Sequence, residues 1–293
     1  MSAIRMIPVL WSVCAFAGFG VGEDASPDAA PARIVTIGPS TADLICRLGA
    51  CDRIVGVDRF CVHPRLGDRL RVGGLVDPNL ERIAALTPDL IVLRGHNESI
   101  ESLARARGIT LYHDRTDSFA DLETTVRDLG RLLHRTDEAE RLIVRFRERL
   151  ERIRRRVAGR PRPRVVVTLA RRPDRLADLL VAAPGTFLHE TIEIAGGRNV
   201  FEQLDVRYPQ VSPESILARQ PEVILELMPE AGNDPQLLRR VRKQWRSLGS
   251  MPAVATGRIY VLTDARALIP SLEYPEIVER IARLLHPEVF GGP

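Results

Sequence analysis

Aromatic residues make up only 5% of this 293-residue chain, and no local signature of catalysis is present. It has no GxxxxGK[ST] phosphate loop, no HExxH, no GxSxG elbow, and no GxGxxG between a strand and a helix. Nucleotide hydrolysis, zinc-peptidase chemistry, nucleophile-elbow hydrolysis and dinucleotide binding by those motifs are thereby excluded. Gly18-Phe-Gly-Val-Gly22 belongs to the leader described below and counts for nothing. The six histidines are scattered, so no catalytic residue is assigned. An α/β enzyme whose triad assembles only in space stays open as an alternative of another class.

Cysteine is also scarce. Beyond Cys14, which lies in the leader, the chain has Cys46, Cys51 and Cys61, an odd number that cannot all pair internally. Cys46–Cys51 or Cys51–Cys61 could bridge in an oxidising compartment. With no CxxC pair, a structural zinc site is not expected. His63, His96 and His189 do not supply a convergent ligand set either, so no metal site is assigned.

Long apolar runs are absent except at the start. Met1 to Arg5 carries one positive charge, Ile7 to Phe19 is almost wholly apolar, and Gly20 onward turns polar before the Ala/Pro-rich stretch Ala25–Ala32. A spanning helix needs roughly 20 apolar residues, so residues 1–22 read as a secretory signal peptide and 23–32 as a flexible lead. Trp11-Ser12-Val13 lacks the small residue usual before a lipid-modified cysteine. A released, exported protein is expected, periplasmic or otherwise extracytoplasmic.

The net charge of +4 is unevenly placed: thirteen Arg against five Asp/Glu fall between Arg131 and Arg164, leaving the remainder net negative. Aromatic residues do not interleave that basic run beyond Phe146. It reads as a solvated helix face rather than a nucleic-acid surface.

What the chain does have is an internal repeat. The segment from Asn79 to Leu93 returns from Ser212 to Glu226, 133 residues on, each copy reading as a capped helix, a proline stop and a buried strand. Arg33-Ile-Val-Thr-Ile37 likewise returns as Arg164-Val-Val-Val-Thr168. Strand-like runs at Ile54–Val57, Leu90–Leu93, Val223–Leu227 and Ile259–Leu262 alternate with helical stretches in a βαβ rhythm. The expectation is an α/β fold of two lobes, each with a parallel sheet and flanking helices, joined by a single long rigid helix. Boundaries are set at 33–135 for the N-terminal lobe, 136–158 for the connecting helix and 159–293 for the C-terminal lobe. In the connector, Leu142, Phe146, Leu150, Ile153 and Val157 form one apolar stripe, with the arginines facing water.

Open α/β sheets bind ligands beyond their strand ends. The loops placed there are Gly38-Pro-Ser-Thr41, Asp58 to Pro64, Gly73 to Asp77 and Arg94 to Asn97 in the first lobe. The second lobe offers Ala170 to Arg172, Ala183 to Phe187, Arg207 to Gln210 and Leu227 to Pro229.

Arg33 to Leu44, Cys61-Val-His-Pro64, Asn79-Leu-Glu-Arg-Ile83, Arg94-Gly-His-Asn97, Ala195 to Phe201 and Tyr208-Pro-Gln-Val-Ser212 stand in the order of a known group. Through them the chain resembles the class III solute-binding proteins of ABC importers, above all those for vitamin B12. The resemblance implies a two-lobed monomer that captures cobalamin or a related corrinoid, with haem or a ferric siderophore as the alternative cargo. It has no cofactor of its own and delivers its cargo to an ABC permease and ATPase complex. The implied ligand-binding residues are Pro39, Ser40, Thr41, Phe60, His63, Gly74, Arg94, Phe187 and Tyr208. His63 is a candidate axial ligand of the chelated metal, and Arg59, Arg94, Arg171 and Arg207 are candidate partners for cargo carboxylates or phosphate. Glu81 and Glu214, one acidic residue per lobe, match the positions that dock on the permease. Each also lies in the first turn of its helix, where a carboxylate gains roughly 0.3–1 kcal/mol from the helix dipole.

Overall fold

The computed structural model describes residues 30–38, 40–171 and 175–291. The signal peptide, most of the lead, and Pro39 lie outside the described residues.

The first lobe contains β1 (Ile34–Ile37), α1 (Thr41–Arg47), β2 (Ile54–Val57), β3 (Leu70–Arg71), α2 (Leu80–Ala85), β4 (Leu90–Arg94), α3 (Glu98–Arg107), β5 (Thr110–Asp114) and α4 (Phe119–Leu132). Its five strands run parallel in the order β3-β2-β1-β4-β5. β1 and β4 are buried throughout up to Ile37 and Leu93, as strands covered on both faces must be.

After α5 (Thr136–Val157), the second lobe contains β6 (Arg164–Ala170), β7 (Leu179–Val181), α6 (Phe187–Ile194), β8 (Arg198–Asn199), β9 (Gln210–Val211), α7 (Pro213–Ala218), β10 (Val223–Leu227), α8 (Pro235–Arg246), α9 (Pro252–Ala255), β11 (Ile259–Leu262), α10 (Pro275–Leu285) and α11 (Pro287–Phe290). The strand order is β11-β10-β6-β7-β9, with β8 also on β6. This sheet is mixed, which corrects the expectation of a parallel one. β11, β10, β6 and β8 are parallel, whereas β7 runs antiparallel to both β6 and β9. The reversal follows from the short return between Ala170 and Leu179, too short for a helical crossover.

The sequence repeat is a structural one. Asn79 caps α2 by accepting from the Arg82 amide, and Ser212 caps α7 by accepting from the Ser215 amide. Both helices then end on a left-handed residue before proline, Thr87 with φ 42° and Gln220 with φ 47°. Each leads into a strand paired in parallel with the lobe's first strand, Leu90 beside Ile34 and Val223 beside Val165.

α5 has 22 residues, about 33 Å of helix. Its buried stripe is Ala139, Ile143, Phe146, Leu150, Ile153 and Val157, so Ile143 occupies the place expected of the half-buried Leu142. The arginines outside the stripe are tied to both lobes. Arg127 of α4 bonds Glu140 at 2.8 Å, Arg147 bonds Glu123, and Arg149 reaches Glu273 at 3.1 Å. Arg156 stacks over Phe290 at 4.2 Å. One apolar core runs from Ile34 in the first lobe through this stripe to Leu285 in the second. Among the described residues, no helix is long and apolar enough to cross a membrane.

Candidate functional site

In the first lobe the strand order reverses between β1 and β4, the kind of switch point beside which open α/β sheets bind ligands. Gly38 leaves β1 with φ +142°, and a Cβ there would stand 2.6 Å from the Cβ of Arg94. Only glycine lets the two loops approach this closely. The buried Asp58 carboxylate ties the neighbouring loops together. It accepts from the Gly38 amide at 2.8 Å and from the Phe60 amide at 2.6 Å.

The lobes meet on a small set of polar contacts. The Phe187 amide donates to the Asp117 carbonyl at 2.7 Å, and the Phe119 amide donates to Glu190 Oε2 at 2.7 Å. Burial pushes the Glu190 carboxyl above its ordinary value. Beneath them, Tyr274 packs edge-on to Phe187 with ring centroids 5.1 Å apart and tilted against Phe119 at 5.6 Å.

A cavity of about 500 Å³ is lined by residues that include Leu75, Arg94, His96, Arg115 and Asp117 of the first lobe and Arg207 of the second. Arg94 is braced by Asp114 at 3.4 Å and the Thr116 carbonyl at 2.6 Å. Arg207, from the other lobe, reaches Asp117 at 2.8 Å. Tyr208 stands beside them, half-buried, and its hydroxyl pKa is pushed up to about 12 by burial and by the Asp117 carboxylate. A larger groove, about 650 Å³, lies between α4, α5 and α6. It is lined by helix faces on which Arg147 pairs with Glu123 and Arg154 with Glu151, and no strand ends there. The cavity at the strand ends is therefore the candidate site.

Of the expected ligand-binding residues Arg94 lines the cavity, Tyr208 lies within electrostatic reach of Arg94, Asp117 and Arg207, and Ser40 and Thr41 are buried at the foot of the β1 loop. Thr41 donates its hydroxyl to the Gly38 carbonyl. Phe60 is 64% exposed, and a Cβ on Gly74 would lie 3.5 Å from its ring. Arg59 is engaged by Asp77. Three candidates sit elsewhere. Phe187 is 3% exposed and packed on Tyr274, so its ring covers core rather than cargo. Arg171 lies inside the second lobe, its Nε 2.5 Å from Glu226, with both side chains 2% exposed. His63 lies 4.0 Å from Cys46 in the last turn of α1 and accepts from the Arg65 amide, away from the lining with Arg94 and Arg207. Cys46 is bonded to Cys51, while Cys61 is a free, buried thiol. Asp117 and Arg115 were missed because β5 has a half-exposed, polar-looking sequence, and the loop after an unrecognised strand drew no attention.

Residues 34–265 match the family described as periplasmic binding protein. The chain belongs to that family. It is similar to the vitamin B12-binding protein of Vibrio cholerae serotype O1, 28% identical over 195 residues that cover 66% of this chain and 69% of that protein. Among solved structures it is similar to the periplasmic vitamin B12-binding protein of Vibrio cholerae, with a TM-score of 0.71 and 24% identity over 88% of this chain and 97% of that one. It is equally similar in fold to a periplasmic haem-binding protein from Pseudomonas aeruginosa, with a TM-score of 0.73 and 25% identity over 88% and 93%. As a member of that family the chain is a binding protein rather than an enzyme. Within it, Glu81 and Glu214 are exposed at the starts of α2 and α7. Glu214 is held below the ordinary carboxylate range by its own backbone amide and by the Ser212 hydroxyl.

Proposed function

We propose that this protein captures cobalamin or a related corrinoid in the inter-lobe cleft, outside the cytoplasm, and delivers it to an ABC permease and ATPase complex. The observation that carries the reading is the cavity at the strand ends of the first lobe, to which the second lobe contributes Arg207. Similarity to the vitamin B12-binding proteins over two thirds of the chain supports the choice of cargo. Exposed Phe60, set over Gly74, would cover part of a flat macrocycle face, and Tyr208 would offer a neutral phenol to its edge. The shared core along α5 favours a largely preformed cleft, so little of the binding energy would go into closure.

A second reading, haem or a ferric siderophore, draws support from Arg94, Arg115 and Arg207 in one cavity, since guanidinium groups suit carboxylates. Both readings share the delivery step. Glu81 and Glu214 are the proposed docking residues, and Glu81→Ala with Glu214→Ala tests them. Cargo affinity and melting temperature stay at the parent values while uptake by the cognate importer is lost. Parent-level uptake in the double variant would overturn the docking assignment.

A further inference from the structure

Two groups of three potential metal-ligating side chains converge among the described residues. One is Cys46, Cys51 and His63, but its two sulfurs are consumed in a disulfide and offer no thiolate. The other is His96, Glu101 and His113, at the edge of the first lobe where β4 and β5 run side by side.

The fold itself brings these three together. β4 and β5 pair in parallel with Leu93 beside His113, so the chain leaving β4 at Gly95 and His96 passes next to the end of β5. Asn97 then caps α3 by accepting from the Ile100 amide, and its side-chain amide donates to the Leu75 carbonyl at 2.7 Å. That double tie fixes the first turn of α3, from which Glu101 faces back toward both imidazoles. Glu101 Oε1 is 3.2 Å from His96 Nδ1 and 4.0 Å from His113 Nε2, and all three ligand atoms lie within 4.8 Å of one another. Zinc bonds of roughly 2.0–2.2 Å in tetrahedral geometry separate neighbouring ligand atoms by about 3.4 Å. Small side-chain rotations therefore suffice.

The second observation concerns the other face of His113. Its Nδ1 lies 3.0 Å from the Gly95 carbonyl oxygen, which can only accept. Nδ1 therefore carries a proton, and in the neutral ring the Nε2 atom, 4.0 Å from Glu101 Oε1, is left with the lone pair a metal needs. A backbone carbonyl behind an imidazole is the arrangement that orients metal-ligating histidines and raises their basicity.

We propose that His96, Glu101 and His113 form a binding site for a borderline divalent transition-metal ion of the Zn²⁺ class. Two imidazoles and one carboxylate select such an ion over Ca²⁺ or Mg²⁺, which prefer all-oxygen shells. Three protein ligands leave a coordination position open, and His96 also lines the cleft cavity. The site shares His96 with the cleft lining, but its ligand set does not depend on which chelate the cleft takes.

The test is calorimetric titration of tag-free, disulfide-intact protein with Zn²⁺, in buffer without chelator or reductant, and with Co²⁺ as an absorbance probe. One Zn²⁺ per chain is expected, with a Co²⁺ ligand-field spectrum. His113→Ala and the near-isosteric Glu101→Gln should each weaken binding by roughly tenfold or more. His63→Ala should leave it unchanged, and circular dichroism with melting of each variant separates lost ligation from lost folding. Absence of Zn²⁺ binding to the parent overturns the site, as does parent-level affinity in folded Glu101→Gln. In either case the trio is an ordinary surface hydrogen-bond cluster.

Discussion

Arg207 donates from Nη1 to Asp117 Oδ2 at 2.8 Å, so a loop of the second lobe is joined to a loop of the first across the mouth of the cleft. The pair is solvent-accessible, with side-chain exposures of 57% and 38%. It contributes only about 0.2–1 kcal/mol. Its importance is positional, because a cargo acid entering the cavity competes with Asp117 for the same guanidinium.

Asp117→Asn should accordingly leave stability within about 1 kcal/mol of the parent while freeing Arg207. Arg207→Ala should weaken an anionic chelate such as haemin more than the far less acidic cyanocobalamin. Calorimetry of the two variants with the two ligands checks this. Equal losses for both ligands would remove Arg207 from acid recognition.

Alkaline unfolding reports on the buried phenols. Burial raises both Tyr112 and Tyr208 from near 10 to about 12. In the unfolded chain they ionise near pH 10, so between roughly pH 10 and 12 the unfolded state holds fewer protons than the folded one. Their contribution is complete below pH 10 and disappears as the pH climbs to 12. Allowing for partial exposure, it is on the order of 1 kcal/mol per tyrosine. The urea midpoint should fall across that window, and Tyr208→Phe should flatten the fall. An unchanged slope in Tyr208→Phe would mean that Tyr208 is more solvated than the fold implies.

Glu226 is the internal anchor of the second lobe, accepting from Arg171 on one oxygen and from the indole of Trp245 on the other. Arg171→Ala leaves a buried carboxylate without its cation and should cost about 3–5 kcal/mol. Replacing Arg171 and Glu226 together by methionine should cost less than that single change. Urea unfolding of the single and double variants settles the order. The cleft contacts of the first lobe should be unaffected.

Much of the fold was legible because the repeat carries its own punctuation. Asn79 with Pro88 and Ser212 with Pro221 bracket each helix, and the apolar runs that follow are fully buried strands. The α5 stripe was legible for the same reason, apart from a one-residue drift from Leu142 to Ile143. β5, β7 and β9 were not, being short or only half-buried, so their apolar pattern is weak. The antiparallel turn of β7 is a matter of loop length rather than periodicity. Loop position led to Arg94, which lines the cavity, and to Tyr208, which stands near it. Phe187 and Arg171 could not be judged from the chain, because burial depends on what lies opposite. Phe187 meets Tyr274, and Arg171 meets Glu226 from a strand 55 residues on. Glu101 and His113 escaped notice because the pairing of β4 with β5 brings them to His96.

The most direct measurement titrates the mature protein separately with cyanocobalamin, haemin and a ferric hydroxamate, followed by absorbance and calorimetry. The account predicts sub-micromolar, one-to-one binding of cyanocobalamin, weakened when Tyr208 is replaced by alanine. Tight binding of haemin or the hydroxamate with none of cyanocobalamin would contradict it and pass the cleft to the second reading.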